Sequence, residues 1–185
     1  MENQSKDILV YYKTASDGTL PVRAHKHDAG YDIFASSDPT IVGETFEHDG
    51  KTYYSSIDYI QYGTGLRLQP FDDKELLQFD LRPRSSISSK TWLTMCNTPA
   101  TIDHGYRGEI FVRFRYNVQP SDMSILIMPD DKWGFGVDVN PDRIYNKGQA
   151  IGQLLPDYVK NFIWIKKEEL SKSERDEGGF GSTHN

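Results

Sequence analysis

Cysteine is nearly missing from this chain: Cys96 is the only one in 185 residues, so no intramolecular disulfide can form. No Cys/His set has the spacing of a zinc site either, and a reducing compartment is the default expectation. Long apolar runs are missing too. Nothing approaches the ~18 residues a membrane helix needs, and the N-terminal MENQSKDILVYY has no basic stretch leading into a long apolar one. The chain therefore reads as soluble and cytoplasmic, without membrane contact. Positive charge is in deficit, with a formal net charge of -6, which argues against stable nucleic-acid binding. An anionic ligand would need a local cluster of cations or a metal. There is no internal repeat.

What is present favours strands. Hydrophobic residues make up 37% of the chain and aromatic ones 12%, with nine Phe and eleven Tyr, enough for one globular β-rich core. In order, ILVYY (8 to 12) reads as a strand, and AGYDIFAS (29 to 36) as another with Asp32 inside it. A carboxylate is costly there unless it is paired or touches a cation. His48, Asp49 and Gly50 make a hairpin turn in FEHDGKTYY. Alternation in GLRLQ and LLQFDL gives two strands joined at a turn from Pro70 to Lys74. In RPRSSIS (82 to 88), Arg82 and Arg84 sit two apart on a strand and point the same way, while Ser85 and Ser86 open the next turn. Arginine beside hydroxyls and free backbone amides suits phosphate.

The stretch NTPATIDHGYRGE (97 to 109) lies between two β-prone runs, TWLTMC and IFVRFRYNV, as a hairpin whose tip holds something. It carries one carboxylate, Asp103, and one ring, Tyr106, with Gly105 between them for a tight turn. Cys96 is expected to be a small core residue. Residues 119 to 142 hold two Pro-Asp turns around an aromatic, glycine-rich stretch, read as an extra surface hairpin. Trp133 is expected to pack on the protein's own surface, whereas exposure of Trp133 and Phe135 would favour a protein partner. RIYNKGQAIGQLLP resumes a strand with Gly148 in a turn and Gln153 as its interior polar group, and YVKNFIWIKK alternates and closes the sheet. Residues 1 to 170 make the single domain on this reading. Residues 171 to 185 form a glycine-rich arm too polar to fold alone, in which Arg175, Phe180, Gly181, Ser182 and Thr183 combine what a lid over a nucleotide needs.

Five stretches in this order, AGYDIFA, RPRSSIS, NTPATIDHGYRGE, KGQAIGQLL and RDEGGFGST, resemble the five motifs of the trimeric deoxyuridine triphosphatase (dUTPase) family. The inserted segment 119 to 142 suggests a phage- or virus-type member, placed in the host cytoplasm. The resemblance implies an all-β, distorted jelly-roll or barrel-like subunit with a flexible C-terminal arm, and a homotrimer with each active site shared by three chains. It implies hydrolysis of dUTP to dUMP and pyrophosphate by water attack on the α-phosphate with Mg2+ on the triphosphate, limiting uracil in DNA and supplying dUMP for thymidylate synthesis. By the same resemblance Asp32 holds the metal through water. Arg84, Ser85 and Ser86 bind the phosphate chain, with Ser85 nearest the scissile linkage. Asn97 and the backbone after it, Ile102 included, read uracil, and Asp103 touches the sugar and orients the attacking water. Tyr106 packs on deoxyribose and Gln153 contacts the phosphates. Arg175, Ser182 and Thr183 clamp the γ-phosphate while Phe180, beside Gly181, stacks on the base.

The chain departs from the family pattern at Ser86, Gln149, Ala150, Asp176 and His184. Two alternatives stand beside this reading. A dCTP deaminase of the same fold needs a glutamate where this chain has Arg113, and a regulatory protein would bind through residues 119 to 142.

Overall fold

The computed structural model describes residues 7–127 and 132–173. In chain order its strands are β1 (Val10–Thr14), β2 (Tyr31–Phe34), β3 (Thr40–Val42), β4 (Thr45–His48), β5 (Lys51–Tyr54), β6 (Tyr59–Gly63) and β7 (Leu66–Pro70). They continue with β8 (Leu77–Arg82), β9 (Leu93–Met95), β10 (Ala100–Ile102), β11 (Phe111–Tyr116), β12 (Met123–Ile127), β13 (Trp133–Val137) and β14 (Ala150–Tyr158). A single helical turn, α1 (Ile87–Lys90), follows β8.

Side chains alternate between core and outside with the period of two that a strand imposes. In β11 Val112, Phe114 and Tyr116 are buried while Phe111, Arg113 and Arg115 are exposed. Two four-stranded antiparallel sheets, ordered β10-β8-β14-β2 and β3-β6-β11-β9, share one core. Ile33, Phe79, Leu81 and Leu154 enter it from the first sheet, and Ile60, Tyr62, Val112 and Phe114 from the second. Each such side chain contributes roughly 1.5–3 kcal/mol on burial. A two-stranded β1-β7 ribbon and a third sheet, β12-β13-β5-β4, complete an all-β, jelly-roll-like arrangement that does not close into a barrel.

The turn at Asp49 and Gly50 joins β4 to β5, with both residues at positive φ, 49° and 74°. The inserted segment is a hairpin of β12 against β13 that docks on β5 through Val137 and Tyr54. Its root is tied to the core: the Tyr116 hydroxyl donates to buried Asp122 at 2.9 Å and accepts the Asn140 N–H at 3.1 Å. Trp133, however, does not pack on the protein's own surface. It is 72% exposed and shares one sheet face with Ile125, Ile127 and Phe135, because the opposite face is the one that meets Tyr53 through Gly136.

GLRLQ and LLQFDL form strands as expected, β7 and β8, which pair with β1 and with β14 and β10. Three further expectations change. β8 ends at Arg82, so Arg84 lies beyond the strand, in the turn before α1. Cys96 is half-buried, not a core residue. YVKNFIWIKK does not close the sheet. β14 stops at Tyr158, and Phe162, Ile163, Trp164 and Ile165 stand 73–89% exposed with no strand among them.

Buried tyrosines set an alkaline limit. Burial raises the phenols of Tyr62 and Tyr145 above the usual range and pushes Tyr116 up to about 12. An unfolded tyrosine ionises near pH 10, so the unfolded chain releases these protons first. The stabilisation is whole below about pH 10 and is lost as pH climbs through the folded values. Urea midpoints should therefore fall between pH 9 and pH 11.5, and an unchanged midpoint would count against this packing.

Candidate active site

Register places the first cluster. In the first sheet Arg82 lies opposite Gln153, and Gln153 opposite Asp32, so the three side chains share one face across β8, β14 and β2. Asp32 is 9% exposed. Its carboxylate is fully engaged: Arg84 reaches Oδ2 at 3.1 Å and the Gln153 amide donates to Oδ1 at 3.1 Å. The expected partner for a carboxylate inside a strand is thus found. Arg82 turns instead to Asp80, 3.0 Å away, so of the two arginines only Arg84 serves this cluster. Ser85 is exposed in the turn after β8, and Ser86 precedes α1. A cavity of about 400 Å³ opens beside them, lined by Arg84, Ser86, Lys90, Tyr145, Asn146 and Gln149 among others.

The second cluster is the 97 to 109 segment. β9 and β11 do pair, but the segment between them is not a free tip. It crosses to the other sheet, where β10 pairs with β8 through Ala100 with Leu81 and Ile102 with Phe79. Asn97 takes a positive φ of 49°, and the Tyr106 N–H closes a turn onto the Asp103 carbonyl at 3.0 Å. Asp103 is exposed and Tyr106 half-exposed, and both line a 170 Å³ cavity with Ile102, Glu109 and Phe111. Gly105, expected to permit the turn, is not the constrained glycine, since a Cβ there meets open space. Gly108 is the one. A Cβ there would sit 2.4 Å from the Tyr106 hydroxyl, which folds back over it to donate to the Glu109 carbonyl at 2.8 Å.

Two side chains that the sequence reading passed over hold this segment. The His104 Nδ1 accepts the Leu77 N–H at 2.9 Å, so its ring proton sits on Nε2 and donates to Asp73, also at 2.9 Å. Glu109 accepts the Gly65 N–H at 2.9 Å. Both pin the segment to loops far away in sequence, which no local pattern announces.

The two clusters lie at opposite edges of one sheet. β10 and β2 are separated by three strand spacings, about 14 Å. No group of three or more His, Cys, Asp or Glu that could cage a metal occurs among the described residues. Both oxygens of Asp32 are taken by Arg84 and Gln153, so a hard cation would reach it only through the cation's own waters. Of the remaining sequence-derived site residues, Arg175, Phe180, Gly181, Ser182 and Thr183 lie outside the described residues.

No protein-family model matches the chain. Individual proteins do. It is 34% identical over 170 residues to the deoxyuridine 5'-triphosphate nucleotidohydrolase of Clostridium tetani, covering 90% of each chain. It is 31% identical over 175 residues to the protein of the same name from Hydrogenobaculum, covering 95% of this chain and 96% of that one. Among solved structures, a variant of the dUTPase of Staphylococcus bacteriophage 80alpha with dUpNHpp superposes with a TM-score of 0.62 at 25% identity, over 94% of this chain and 97% of that one.

Proposed function

The chain belongs to the deoxyuridine triphosphatase family and is a dUTP diphosphatase, and from that premise we propose that it splits dUTP into dUMP and pyrophosphate at sites shared between the chains of a homotrimer. One observation carries this reading: the chemistry is divided between the two edges of a single sheet. Asp32, Arg84 and Gln153 gather at the β2 side, and Asp103 and Tyr106 beyond β10. A nucleotide held by the base and sugar at one edge would take its phosphate contacts from the other edge of a neighbouring copy. The exposed run from Phe162 to Ile165 supports assembly as well, because four consecutive apolar side chains in water are a contact surface awaiting a partner.

In this reading Asn97, in its left-handed turn, and the backbone as far as Ile102 recognise uracil. Tyr106 covers the deoxyribose and leaves no room for a 2'-hydroxyl. Asp103 touches the sugar hydroxyl, holds the attacking water and accepts its proton as oxygen bonds to the α-phosphorus and pyrophosphate leaves. General-base assistance of this kind is worth ~10²–10⁴-fold. Arg84, Ser85, Ser86 and Gln153 hold the phosphate chain, with Ser85 nearest the bond that breaks. Mg2+ arriving on the triphosphate supplies charge neutralisation, and Asp32 would hold it through water. Arg175, Ser182, Thr183 and Phe180 close the site from the C-terminal segment. The dUMP formed would serve thymidylate synthesis, and removal of dUTP would keep uracil out of DNA.

Arg113 argues against deamination of dCTP. Its Nε donates to Gln61 at 2.8 Å and its guanidinium lies 4.3 Å from the Tyr59 ring centroid, a cation where that reaction needs an acid. Incubating the purified protein with dUTP, dCTP and UTP separately decides the matter. Pyrophosphate should appear from dUTP alone, and ammonia from dCTP would overturn the reading.

A second reading is favoured by the inserted hairpin, whose Ile125, Ile127, Trp133 and Phe135 make one exposed apolar face. We read it as a partner surface separate from the chemistry. Deleting residues 124 to 136 should leave dUTP turnover within about threefold of the full chain, since that sheet shares no strand with the one whose two edges carry the site. Loss of assembly on gel filtration would mark the hairpin as structural instead.

A further inference from the structure

Tyr145 carries a polar atom with nothing to bond. The residue is 94% buried, from a relative exposure of 6%, and its hydroxyl has no hydrogen-bond partner among the described residues. The ring cannot swing away to find one. It packs 5.6 Å from Phe114 and 6.2 Å from Tyr62, centroid to centroid, and its backbone N–H and C=O are both bonded to the Tyr62 hydroxyl, at 3.1 and 2.9 Å. A phenylalanine would fill the same space without the desolvation cost of an unbonded hydroxyl. Nor does the phenol lie in an apolar pocket remote from the site. Tyr145 lines the cavity that holds Arg84, Ser86 and Gln149, and the Arg84 charge acts on it, opposing the rise that burial imposes.

Arg84 is the member of this pair that can move. Its side chain is 35% exposed, and its guanidinium is paired with Asp32 through Nη2. A guanidinium has five N–H groups in a rigid fork. When a triphosphate draws part of that fork from Asp32 toward phosphate oxygens, a fixed acceptor lining the same cavity would set its angle. We propose that Tyr145 is a positioning residue for Arg84: in the nucleotide-bound state its hydroxyl oxygen accepts a guanidinium N–H and holds the fork against the phosphate chain. This rests on the reading of Arg84 as a phosphate ligand.

Tyr145→Phe, Arg84→Lys and the double variant test it by steady-state dUTP hydrolysis and thermal melting. Tyr145→Phe should raise KM about tenfold, as loss of one bond to a charged group implies, with kcat within twofold and the melting temperature unchanged or higher. A merely structural tyrosine would lower the melting temperature and leave KM alone. Arg84→Lys keeps the charge but loses the fork, so the further effect of Tyr145→Phe in that background should shrink to less than twofold. A native KM for Tyr145→Phe beside an impaired Arg84→Lys overturns the proposal alone. So does an equal tenfold effect in both backgrounds. A native KM for Arg84→Lys overturns the reading of Arg84, and the proposal falls with it.

Discussion

Asp103→Asn should bind dUTP nearly as well as the native protein and turn it over ~10²–10⁴ times more slowly. The substitution keeps the shape of the side chain and its capacity to touch the sugar, but an amide cannot take the proton of an attacking water. Position favours a selective effect. Asp103 is exposed at the mouth of its cavity, beyond the end of β10, and the segment is held by the neighbours His104 and Glu109 rather than by Asp103. Its carbonyl still closes the turn to Tyr106 in the variant. The check is kcat against KM, with circular dichroism to show an intact fold. Native turnover would remove Asp103 from the chemistry.

Ending the chain at Glu174 should slow hydrolysis about 10²-fold or more without unfolding the protein. On the proposed roles, the lost segment carries Phe180, whose stacking on uracil would be worth about 1–3 kcal/mol. It also carries Arg175, Ser182 and Thr183, whose bonds to the terminal phosphate would be charge-assisted. The last described strand ends at Tyr158, so truncation takes no strand from the described sheets. The melting temperature should therefore stay within a few degrees of native. Native turnover in the truncated chain would dismiss the lid, and a collapsed melting curve would show the segment to be structural.

Much of this was legible because local chemistry forces it. A period of two in FVRFRY, a turn written as His48-Asp49-Gly50, and a carboxylate at Asp32 that a strand interior does not tolerate unpaired all appear as expected. The five ordered motifs singled out Asp32, Arg84 and Gln153 as separate phosphate and metal ligands, and their direct contact with one another appears only in the structure. What was not legible depends on which strand finds which. β7 and β8 are neighbours in sequence yet belong to different sheets, and β10 leaves the hairpin that encloses it to join β8. Beyond Val159, YVKNFIWIKK has the alternation of a strand but forms none among the described residues. Tyr145 escaped because it lies in the loop before β14, in RIYNKG, where nothing in the residue pattern marks it. Its interest lies in one oxygen atom that only side-chain packing reveals as unbonded.

Mixing two severely impaired variants shows whether each site is split between chains. Asp103→Asn retains Arg84, and Arg84→Ala retains Asp103. If each site draws its acid from one chain and its arginine from a neighbour, co-expressed chains form mixed assemblies in which roughly a quarter of the sites are intact. Hydrolysis of dUTP should return to about that fraction of native activity, although each variant alone is severely impaired. A co-expressed mixture no more active than its parents would place Asp103 and Arg84 of one site on the same chain and contradict the account.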